Sequence, residues 1–91
     1  MAGWTNFNKN GIPMKGKCDP IEGRDGVALC VVKIGNNQAR AIIRVDPKSN
    51  KVIRESQVND IENSDDPKMG QKLESALKEY ITNYATKTDT L

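Results

Sequence analysis

Apolar and polar positions alternate most clearly between Val27 and Asp46, where VALCVVKI is followed by GNN and then QARAIIRVD. Side chains of a strand point alternately to its two faces. Asparagine tolerates the positive φ angles of tight hairpin turns, so Asn36-Asn37 is read as the turn of a β-hairpin. That turn sets Ile34 opposite Ala39, Val32 opposite Ala41, Cys30 opposite Ile43 and Ala28 opposite Val45, an apolar face. The reverse face pairs Lys33 with Arg40, Val31 with Ile42, Leu29 with Arg44 and Val27 with Asp46, half apolar and half charged. A slip by one residue would mix the two faces.

A second turn is predicted over Asp46–Lys51, where Pro47 presets one φ angle and Asn50 can adopt a left-handed one. A third strand follows from Val52 to about Val58. Its alternation is poor, which suits an edge strand, and Arg54, Glu55 and Gln57 would discourage edge-to-edge pairing. An acidic loop, Asp60 to Asp66, leads to the clearest helix signal. Asp66 can cap it, Pro67 fits the first helical position, and carboxylates suit the positive end of the helix dipole. Met69, Leu73, Leu77, Ile81 and Tyr84, with Ala76 and Tyr80 beside them, form one stripe at helical spacing. Glu74 and Lys78 form an i, i+4 pair on the polar side.

Residues 1–26 carry Gly3, Gly11, Gly16, Gly23, Gly26, Pro13 and Pro20 and show no sustained period, so they read as an irregular segment. The predicted fold is α+β. A three-stranded antiparallel sheet packs one face against a C-terminal amphipathic helix. The domain spans 27–86, with an irregular segment at 1–26 and a frayed tail at 87–91. Trp4 and Phe7, half of the aromatic residues, lie in the opening segment. They are expected either to fold back over Leu29, Val31 and Ile42 or to stand exposed as anchors for a partner.

The chain has 91 residues, enough for one domain. Aromatics make up 4% and hydrophobic residues 36%, so the core must be mainly aliphatic. The net charge of +2 is too mild to imply a nucleic-acid partner by itself. No apolar run approaches the length of a membrane span, and the opening residues lack a signal-peptide apolar region. A soluble, intracellular (cytoplasmic) protein is expected. Cys18 and Cys30 leave two readings open: a small hydrophobe on the core face, or a disulfide stapling the opening segment to the sheet.

Little catalytic chemistry presents itself. Gly11–Cys18 nearly matches the phosphate loop G-x-x-x-x-G-K-[ST], but TNFNKN before it is too polar for a buried strand. Asp19-Pro20 breaks a following helix, and Cys18 replaces the magnesium-binding hydroxyl. There is no histidine, and two cysteines twelve apart make no zinc site. The acidic run 60–66 lacks the spacing of a calcium loop. No catalytic residue, cofactor or metal is expected.

Three strands followed by a helix resemble, in topology, the DNA-binding domains that lay a sheet in the major groove. That resemblance implies nucleic-acid binding through the basic sheet face. The residues themselves favour a small interaction module of inhibitor or adaptor type, binding a protein through Leu29, Val31 and Ile42. Lys33, Arg40 and Arg44 would form the rim, with Trp4 and Phe7 nearby. Self-association through this face or the edge strand is the third reading, with a homodimer as its outcome.

Overall fold

The computed structural model describes residues 3–46, 48–49, 51–62 and 65–83. Its elements are β1 (Thr5–Lys9), β2 (Ile12–Pro20), β3 (Val27–Ile34), β4 (Asn37–Val45), β5 (Val52–Asp60) and α1 (Met69–Asn83). The α+β class, the antiparallel sheet and the C-terminal helix hold. The sheet, however, has five strands in the order β1-β2-β3-β4-β5, not three.

The two additional strands occupy the segment expected to be irregular. Asn10 and Gly11 both have positive φ (52° and 80°), the requirement of a type I′ hairpin turn. They close the hairpin between Lys9 and Ile12. Along β2 the inward positions Met14, Gly16 and Cys18 are buried, while Pro13 and Lys15 are exposed. Pro13 pairs with Asn8, and β3 ends at Ile34, opposite a later part of β2. Its missing N–H therefore leaves no gap in the β2–β3 ladder. The stretch that mimics a phosphate loop, Gly11–Cys18, is mostly strand.

The β3–β4 turn lies one residue earlier than expected. Gly35 (φ 59°) takes the positive angle, and Asn36 does not. Ile34 then faces Asn37, Val32 faces Ala39, Cys30 faces Ala41 and Ala28 faces Ile43. Every pairing is shifted by two residues, so each side chain keeps its predicted face while its neighbour changes. Leu29 now faces Ile42, and Val31 faces Arg40.

On β5 the register passes from Ile42↔Ser56 to Ile43↔Arg54, leaving Glu55 as a bulged residue. One extra residue inverts the alternation along a strand, which explains the poor pattern of VIRESQV. At the Asp46–Lys51 turn the Asp46 N–H donates to the Lys51 carbonyl (2.8 Å). The Lys48 N–H donates to the Asp46 carboxylate (3.0 Å). Pro47 and Asn50, expected to shape this turn, lie outside the described residues.

α1 starts beyond the expected cap. Asp66 instead accepts the Lys68 N–H on its carboxylate (2.8 Å) and the Met69 N–H on its carbonyl (3.1 Å), and it pairs with Lys72. Pro67 thus sits in a turn before the helix rather than inside it. Leu73, Ala76, Leu77, Tyr80 and Ile81 are buried on one stripe. Tyr84 and the tail at 87–91 lie outside the described residues. α1 rests mainly on β3 and β4, reaching β5 and β2. Its stripe joins Cys30, Val32, Ile34, Ala39, Ala41 and Ile43 in a single core.

Candidate functional site: the outer sheet face

With α1 on one side, the outward positions of the strands make the opposite face. Cross-strand pairing arranges them in rows. One row reads Asn6, Lys15, Lys33, Gln38, Asp60. The next reads Lys17, Val31, Arg40, Val58, and the third Asp19, Leu29, Ile42, Ser56. Val27, Arg44 and Ile53 form the fourth. The middle is apolar: Leu29 is 38% exposed and Val58 47%, with Val31 and Ile42 between them.

Seven residues singled out from the sequence meet on or beside this face: Trp4, Leu29, Val31, Lys33, Arg40, Ile42 and Arg44. Phe7 does not. β1 turns it inward, where it is 8% exposed and its ring stacks on Tyr80 at 5.7 Å between centroids. The two aromatics are three residues apart, and an odd spacing in an extended chain separates them to opposite faces. Phe7 therefore does not lie over Leu29, Val31 and Ile42 as the fold-back reading has it. Trp4 remains 39% exposed and has the ammonium groups of Lys15, Lys17 and Lys33 at 5.2, 4.9 and 5.4 Å from its ring centroid.

Charges on the face are partly answered within it. Arg44 pairs with Glu55 on the bulge, and Lys17 lies 3.5 Å from Asp19. Gln38 donates to Asp60 at 3.3 Å. No ion pair among the described residues involves Lys15, Lys33 or Arg40. Lys15, Lys17, Ile53 and Val58 belong to this face and were not singled out from the sequence. The first two were hidden by reading residues 1–26 as irregular, the last two by the undetermined register of the third strand.

Cys18 and Cys30 face each other across β2 and β3 and are joined by a disulfide, buried on the core side. Neither is available as a thiol nucleophile in this form. Among the described residues no three Cys, Asp or Glu side chains converge as metal ligands, and no helix is long and apolar enough to cross a membrane. Comparison of the chain with known families, with curated proteins and with solved structures finds no match.

Proposed function

We propose that this chain is a small non-enzymatic interaction module, of inhibitor or adaptor type, that binds a partner protein through its outer sheet face. The observation that carries this reading is the apolar centre, where Leu29 and Val58 are exposed and Val31 and Ile42 half-buried, with Lys17, Lys33, Arg40 and Arg44 beside it. Strands about 4.8 Å apart and outward rows about 6.8 Å apart make a patch of roughly 20 × 25 Å. That is about 500 Å² in plane, and more along the side-chain contour. A standard protein interface takes about 800 Å² from each partner. Most of this face is therefore used by one such contact. The composition also fits, because interface cores favour apolar and aromatic residues and arginine over other charges.

The test is direct affinity rather than capture alone. A partner isolated from the native host is titrated against the natural chain, against the Leu29→Asp/Val58→Asp variant and against Arg40→Glu/Arg44→Glu. We expect a loss of at least about tenfold for the apolar pair, the scale of central contact residues. Unchanged affinity for both variants overturns the reading. Nucleic acid is the competing ligand, favoured only by Trp4 among its lysines. A mobility shift with random duplex that weakens steeply with salt would put it first.

A further inference from the structure

We infer that the Trp4 corner of the outer face is an anchor for acidic side chains, taking a pair of neighbouring carboxylates from the partner protein. This rests on the protein-docking reading and names the chemistry at one end of it. Lys15 and Lys33 are directly opposite across β2 and β3. Like charges at such positions repel and weaken the sheet. Lys17 joins them, and all three ammoniums converge on one indole ring within 5.4 Å. The negative face of the ring answers only part of that charge. Of the three, Lys17 alone forms an ion pair among the described residues, with Asp19. A hollow of about 240 Å³, lined by Asn6, Pro13, Met14, Lys15, Lys33 and Gly35, opens next to the cluster. It has room for a carboxylate side chain, with two ammoniums and the Asn6 amide as donors.

Charge distribution selects carboxylates over nucleic acid. The lysine cluster is short and bounded by acids, with Asp19 beside Lys17 and Asp60 at the far end of the Lys15–Lys33 row. A phosphodiester chain carries a charge at every nucleotide and would run on to one of these acids. A local pair of Asp or Glu residues stops short of both. The apolar centre next to the corner asks for an apolar neighbour in the same ligand, which a protein supplies. The epitope that fits is an exposed acidic pair flanking aliphatic side chains.

Trp4 is the only tryptophan, so its fluorescence reports on this corner alone. The full chain is titrated with hexaglutamate, with hexaglutamine and with a six-nucleotide thymidylate. We expect a saturable change in Trp4 emission with hexaglutamate and none with hexaglutamine. The apparent Kd should rise about tenfold in Lys15→Gln/Lys33→Gln, as loss of two charge contacts implies. The thermal midpoint of that variant should not fall, because the substitution removes a repulsion. Three results would each overturn the inference: no response to hexaglutamate, a response that survives the double substitution, or tighter binding of the oligonucleotide than of the peptide. The isolated partner separates the two claims. Lost affinity in Leu29→Asp/Val58→Asp with none lost in Lys15→Gln/Lys33→Gln sinks the acidic anchor and keeps the docking face. The reverse pattern sinks the apolar docking face and keeps the anchor.

Discussion

Gly16 shows how one residue fixes the meeting of sheet and helix. A Cβ placed there would lie 2.8–3.0 Å from ring atoms of Tyr80. The bare backbone of β2 is therefore the surface on which the ring lies, with Phe7 stacked beside it. Gly16→Ala should cost about 1–3 kcal/mol, the usual range for overpacking a filled core, read from urea unfolding. If the clash is the cause, Tyr80→Ala should cost less in the Gly16→Ala background than in the natural chain. Additive costs would refute that cause. Burial also pushes the Tyr80 hydroxyl above its ordinary pKa of 10.0, against a smaller opposing effect from a hydrogen bond with Thr5. A raised pKa means the folded state holds its proton longer than the unfolded chain. The associated stability is complete below pH 10 and is lost as pH rises through the folded pKa. The alkaline decline in unfolding free energy should be shallower in Tyr80→Phe than in the natural chain. Identical declines would show that Tyr80 is not its source.

At the level of elements, the Cys18–Cys30 bridge joins the central strand β3 to β2, the strand on which the β1–β2 hairpin attaches. Their sequence separation of 12 closes a short loop, worth about 3 kcal/mol by chain entropy. Unfolding in urea with and without reductant should differ by about that much, and a difference near zero would mean the ladder alone holds the hairpin. In a reducing compartment the fold would have to stand without this contribution. The start of α1 makes a second measurable case. The Lys72 ammonium, with the Lys68 N–H, holds the Asp66 carboxyl below its ordinary pKa of 3.8. Its contribution is present above pH 3.8 and is lost as pH falls through the lower folded value. Asp66→Asn should flatten the acid limb of the stability profile, and an unchanged limb would exclude the Asp66–Lys72 pair as its cause. These elements were unevenly legible. The helix stripe and the two faces of β3–β4 could be read because period decides them, and a two-residue slip leaves faces intact. The β1–β2 hairpin was missed because glycines and prolines masked a sound signal. Asn10-Gly11 is a strong turn dipeptide, and Met14, Gly16 and Cys18 alternate with Lys15 and Lys17 across it. The third strand was legible, but the bulge at Glu55 concealed its register by inverting its pattern partway along. The outer face was visible in outline as Leu29, Val31 and Ile42, but its lysine corner depended on the unread hairpin.

For the molecule as a whole, the sheet separates two tasks between its faces. The inner face is sealed: Cys30, Val32, Ile43, Leu73 and Leu77 have no exposed surface. The outer face carries side chains of similar size, yet Leu29 and Val58 keep 38% and 47% of theirs in contact with solvent. Burying a charge in the sealed side would leave it without a partner, whereas a charge on the open side stays hydrated. Val32→Asp should therefore lower stability by more than about 4 kcal/mol, in the exceptional range for single substitutions. Leu29→Asp, three residues earlier on the same strand and on the other face, should cost no more than about 1 kcal/mol, from the like charge it sets opposite Asp19. The same Leu29→Asp should weaken partner binding by at least about tenfold. Stability and affinity thus respond to different faces of one strand, β3, through residues three positions apart. Calorimetry and titration on these two variants decide the matter together. If Leu29→Asp unfolds the chain as severely as Val32→Asp, the outer face belongs to the core, and the surface offered to a partner has to be sought elsewhere.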